Sequence, residues 1–204
     1  MSSKKYFFIV LSVFFSCNLS NETSHMSGNS LFMNKGIGYR MIYSNNAILH
    51  KTTIYQDVIS KVYNADFILA KQRPNKKHYV PSLGIDLYTR YRSYLHYKEN
   101  PDIINKAGYK EQKGKIEWDS VNYKLFFERG ASDKNTTEDI QISWTIADSL
   151  IDNDPYYKKI FANEVNYWII CNLEDTLIGP LTKREYIAKR KDLKIPDDLQ
   201  LDLE

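Results

Sequence analysis

Cysteine is scarce: the 204 residues hold two, Cys17 and Cys171. That is too few for a disulfide framework, so stability must come from a packed core. Cys171 ends the apolar run Trp168-Ile169-Ile170 and reads as a small core residue rather than a nucleophile. The four histidines, His25, His50, His78 and His96, are not paired at i, i+4 or at zinc-ligand spacing with a cysteine, so no metal and no cofactor are expected. With eight glycines the chain has neither a Gly-rich phosphate loop nor a G-x-S-x-G elbow, and no catalytic residue is assigned. Charge of one sign is also lacking. Two units of the formal +3 are Lys4 and Lys5, and the basic stretches Lys106, Lys110, Lys113, Lys115 and Lys183 to Lys194 are interspersed with acids, so a nucleic-acid partner is not expected.

Long apolar runs are missing as well. The run Tyr6 to Phe15, broken only by Ser12, is about half of the roughly twenty residues a membrane span needs. What precedes and follows it is informative: Lys4 and Lys5 form a charged start, and Ser16 is the small residue before Cys17. This pattern reads as a bacterial lipoprotein signal with lipidation on Cys17, although Phe14 stands where an aliphatic residue is usual. It predicts an exported protein anchored by lipid to the cell envelope, with the membrane as its first partner. Residues 1–17 are then signal and lipobox. Residues 18–35, rich in Asn, Ser and Thr at their start, read as a flexible tether, and 36–204 as one domain.

Within that domain, 36–73 has the composition of strands: Ile37 to Tyr43, Ala47 to Ile54, and Val58 to Gln72, with turn residues at Asn45-Asn46 and Asn64-Ala65-Asp66. Val165 to Cys171 and Thr176 to Ile178 give two more. Thr182 and Glu185 form a T-x-x-E capping box opening a helix with Tyr186, Ile187, Arg190 and Leu193 as its stripe. The acidic C-terminus frays or folds back on this basic helix. Residues 74–163 are an insertion: a helix carrying Leu83, Leu87, Tyr91 and Leu95, a short helix from Pro101, strands at Lys115 to Trp118 and Val121 to Phe127, a helix marked by Ile140, Trp144, Ala147 and Ile151, and a last one capped by Asp154.

Within Asp66 to Gln72, Phe67 and Leu69 are apolar on one face and Ile68 and Ala70 on the other, and Asn166 to Cys171 behaves the same way, as strands covered on both faces must. The fold class is therefore α+β, an antiparallel sheet covered by helices, one of them the capped C-terminal helix. The runs D-F-I-L-A-K-Q (Asp66 to Gln72), N-Y-W-I-I (Asn166 to Ile170) and G-P-L-T-K-R-E-Y (Gly179 to Tyr186) resemble an uncharacterised family of bacterial lipoproteins. The chain departs from it in carrying about ninety residues between the first two motifs. The resemblance implies fold and location, and no chemistry.

Sixteen tyrosines are the unusual component, with Tyr79, Tyr88, Tyr91, Tyr94 and Tyr97 close together. Tyrosine joins a large contact area to a polar tip, which suits a protein or glycan interface as well as it suits packing. Tyr88, Tyr91 and Tyr94, with Trp118 between Glu117 and Asp119 and the strand-end pair Lys71 and Gln72, form the candidate binding surface. Lys71 and Gln72 are placed where the sheet meets solvent. The expected function is a non-enzymatic, lipid-anchored binding protein for an envelope protein or glycan. The alternative is an envelope glycan or peptide hydrolase using acids near Trp118 or around Lys71.

Overall fold

The computed structural model describes residues 22–28, 30–35, 40–44, 53–100, 122–132, 134 and 137–203. In chain order the elements are β1 (Glu22–His25), β2 (Ser30–Asn34), β3 (Arg40–Ser44), β4 (Val58–Tyr63), β5 (Phe67–Gln72), α1 (Lys76–Glu99), α2 (122–127), α3 (Thr137–Asn153), α4 (Pro155–Phe161), β6 (Asn166–Cys171), β7 (Thr176–Leu181) and α5 (Lys183–Asp192).

The two runs that are apolar on both faces become the centre of an antiparallel four-stranded sheet, ordered β4-β5-β6-β7. Their register sets Ile68 opposite Ile170, Leu69 opposite Ile169 and Gln72 opposite Asn166. Because side chains alternate along a strand, the pairs sort into two cores. Ile68, Ala70, Trp168 and Ile170 join Leu83, Leu87, Ile146 and Ile160 on one face. Leu69, Tyr167, Ile169 and Cys171 join Tyr186, Ile195, Leu199 and Leu201 on the other. The fold is the α+β arrangement expected, with the capped C-terminal helix over one side.

On that side Thr182 caps α5, its backbone N–H donating to Glu185 Oε2 at 2.7 Å and the Glu185 N–H donating to Thr182 Oγ1 at 3.3 Å. The stripe is narrower than expected. Tyr186 is fully buried, but Ile187 is half exposed, because the chain beyond α5 covers the face instead. It folds back rather than fraying: Arg190 Nη2 donates to the Pro196 and Leu199 carbonyls, and Lys183 Nζ to that of Leu203. Gly179 before the helix has φ +145°, and a Cβ there would lie 2.4 Å from Trp168 Cε3. The G-P-L segment, which was expected to end the strand at Ile178 but continues β7 to Leu181, thus needs its glycine to pass over the indole.

Over the other face lies α1, capped by Asn75, whose side chain accepts from the Lys77 N–H. Leu83, Leu87, Tyr91 and Leu95, spaced by four, are all buried along one stripe. Lys76 Nζ bridges Asp148 and Asp152, so the start of α1 lies beside the end of α3 and the two run antiparallel. Asp154 caps α4 as expected, accepting from Tyr156 N–H at 2.8 Å.

Two of the expected elements fail in the described parts. Val121 to Phe127 was expected as a strand, yet 122–127 is helical. Aromatic and β-prone residues there are held by packing on α1, with Tyr123, Phe126 and Phe127 at helical spacing, and tertiary contacts outweigh strand propensity. The tether read over 18–35 is the second. Within it, β1 and β2 pair antiparallel and β2 pairs with β3, making a separate three-stranded sheet. Backbone hydrogen bonds need no apolar side chains, so the polar β1 can pair with β2, which carries the apolar Leu31, Phe32 and Met33. Ile54 then bridges Ile42 before the chain enters β4. The helix expected from Pro101, the strand at 115–118 and the Asn45-Asn46 turn lie outside the described residues.

Candidate binding surface

Four aromatic rings rise from the core between α1 and α2 with their planes nearly parallel. Fully buried Phe126 stacks on Tyr91 (centroids 4.4 Å, planes 6° apart), Tyr91 on Tyr123 (5.8 Å, 18°) and Tyr123 on Phe127 (5.9 Å, 21°). Tyr94 tilts against Tyr123 at 4.9 Å, and Lys98 Nζ sits 5.1 Å above the Tyr123 ring. The inner end is fixed by polar contacts. Tyr91 Oη donates to the Ser132 carbonyl at 3.0 Å, and Asn122 Nδ2 to that of Leu87 at 2.8 Å. The outer end is Phe127, 65% exposed. An anchored stack ending in an exposed ring offers a rigid flat contact at low entropic cost.

Of the residues expected in the binding surface, Tyr88 and Tyr94 are half-buried on α1, and burial pushes the Tyr88 phenol pKa up. Tyr91 belongs to the inner ladder and is buried. Cys17, Trp118 and the Tyr97 side chain lie outside the described residues. Sequence reasoning missed Tyr123, Phe126 and Phe127, although their spacing of three and four is the signal of a helix face.

Lys71 and Gln72 are not where the sheet meets solvent: both are buried, on opposite faces. Lys71 Nζ donates to the Asp202 carbonyl at 3.3 Å, under the returning C-terminal tail. Gln72 Nε2 donates to the Tyr55 carbonyl at 2.7 Å, while its Oε1 accepts from Trp168 Nε1 at 2.9 Å and Asn166 Nδ2 at 3.4 Å. Asn166 Nδ2 also reaches the Ile160 carbonyl at 2.7 Å. The A-K-Q and N-Y-W motifs are therefore two halves of one buried hydrogen-bond network joining β5, β6 and α4. Such groups are retained because an unpaired amide inside a core is costly.

A second polar centre ties the segment before β4 to α1. Tyr55 Oη donates to Asp86 Oδ2 at 2.8 Å, and Arg90 Nε approaches the same oxygen at 3.4 Å. Burial, and then the Asp86 charge, raise the Tyr55 pKa well above its usual value. Burial, then Glu174, also raises that of Cys171, which favours the inert thiol. Among the described residues no group of three or more His, Cys, Asp or Glu side chains is placed to hold a metal ion, and no helix is long and apolar enough to cross a membrane.

The last third of the chain has a counterpart. Residues 142–203 match a family described as protein of unknown function (DUF3997). The matched stretch runs from within α3 through α4, β6, β7 and α5 to the returning tail, and so contains the N-Y-W and G-P-L motifs but not Lys71 or Gln72. No curated protein and no solved structure matches the chain.

Proposed function

We propose that the protein is a lipid-anchored envelope protein that binds an envelope protein or glycan through the outer end of the aromatic ladder. The anchor rests on the charged start, the short apolar run and Ser16-Cys17. Binding rests on one observation, the stack from buried Phe126 to exposed Phe127, because a large exposed ring held rigid by parallel neighbours is what interface hot spots are made of. Lys98, over Tyr123, adds a cation at the rim.

Capture from intact envelopes tests the binding. Phe127→Ala, an exposed substitution, should leave the unfolding free energy within about half a kcal/mol of wild type while partner recovery falls. Undiminished recovery would remove the ladder from the interface. Fatty-acid labelling tests the anchor separately: Cys17→Ser should abolish it and release the protein from membranes, since the apolar run Tyr6 to Phe15 is too short to span a bilayer in place of the lipid.

A further inference from the structure

A cleft of about 360 Å³ opens between β4 and the end of the N-terminal sheet, lined by Phe32, Asn34, Arg40, Ser60 and Lys61 among others. Its two cations differ. Arg40 is already matched, its Nε and Nη2 donating to the two Asp57 carboxylate oxygens at 3.1 and 3.2 Å. Lys61 has no carboxylate within ion-pairing distance among the described residues. Its ammonium is held 4.2 Å above the Phe32 ring, a contact that fixes the charge while leaving it able to take an anion. The cleft therefore carries one uncompensated positive charge. A phosphodiester carries one negative charge, and the volume falls in the range of roughly 300–1,000 Å³ typical of small-ligand sites.

The chain's own geometry says which phosphodiester is near. Glu22 pairs with Asn34 at the same end of the small sheet as Arg40. Cys17 stands five residues earlier, so a fully extended chain holds Asn34 within about 25 Å of the lipid attachment point. We infer that this cleft seats the phosphodiester of an anionic lipid headgroup, with Lys61 as its charge partner, so that the domain is docked as well as tethered. The inference rests on the lipid-anchor reading given above.

The test uses full-chain protein incorporated into vesicles of phosphatidylglycerol or of phosphatidylcholine, with Cys17→Ser protein mixed with the same vesicles in parallel. A water-soluble amine-acylating reagent is applied, and modification of Lys61 and of exposed Lys158 is read by mass spectrometry. Phosphatidylglycerol should slow Lys61 modification roughly five-fold, the scale of one charge-assisted contact, and leave Lys158 unchanged. Equal Lys61 rates in the two lipids overturn the inference. So does equal protection by inorganic phosphate added to phosphatidylcholine vesicles, which would make a free anion the ligand. Loss of fatty acid from wild-type protein with Lys61 still protected by phosphatidylglycerol overturns the anchor alone and supports the cleft.

Discussion

Asn172 Nδ2 donates to Ser27 Oγ and to the Ala65 carbonyl, each at 2.8 Å. One side chain in the β6–β7 turn thus pins the β1–β2 turn to the β4–β5 turn, joining the N-terminal sheet to the end of the larger one. The backbone helps, with Asn172 N–H donating to the Asp66 carbonyl at 2.8 Å. Asn172→Ala should cost about 1–2 kcal/mol, the sum of two ordinary hydrogen bonds. Amide exchange should quicken in β2 and β3 more than in β5 and β6; uniform acceleration would mean that the small sheet is not held at this point.

The buried sheet centre and its buried cation should respond differently to truncation. Leu69 is fully buried, so Leu69→Ala should cost about 2–5 kcal/mol through lost burial and a cavity. Lys71→Ala should cost about 2 kcal/mol, because it removes a charged donor from the Asp202 carbonyl and uncovers the tail. Denaturant unfolding measures both. A silent Lys71→Ala would return Lys71 to the solvent edge.

Gly84 of α1 packs against Ser143 and Trp144 of α3. A Cβ at Gly84 would fall 2.5 Å from Trp144 Cδ1 and 3.3 Å from the Ser143 carbonyl oxygen. Alanine is the better helix former by up to about 1 kcal/mol, but overpacking costs typically 1–3 kcal/mol. Gly84→Ala should therefore lower the melting temperature, with a change in Trp fluorescence. A rise would show that the indole moves aside freely.

The cap of α5 sets an acid limit. The Thr182 backbone N–H, and then its hydroxyl, hold the Glu185 pKa below its usual 4.5. A depressed carboxylate pKa stabilises the fold above the unfolded value, and that contribution is lost as pH falls through the depressed folded value. Amide protection in the first turn of α5 should thus be full down to about the usual glutamate range and weaken below it. Thr182→Ala should raise the Glu185 midpoint observed by NMR, only part of the way because the backbone donor remains. An unchanged midpoint would mean that the hydroxyl contributes nothing to the box.

Period and capping made much of this protein legible in advance. Strands apolar on both faces can only be central, which fixed β5 and β6, and the T-x-x-E box and the Asp154 cap are chemistry within four residues of chain. What could not be read was whatever depends on residues far apart. Gln72 looked solvent-facing because nothing nearby marks Trp168 and Asn166 as its partners, and Lys71 looked exposed because its cover, Asp202, lies 131 residues away. Residues 22–34 looked like a tether because Glu22 to Ser30 holds Met26 as its one apolar side chain, while β3, the partner of the apolar Leu31-Phe32-Met33 that follows, lies further along the chain. The candidate surface divided in the same way. Tyrosine content and the α1 stripe were visible in the chain, but which rings are packed and which one faces solvent was decided when α2 folded as a helix against α1, since the packing partner and not local propensity sets the conformation of so short a segment.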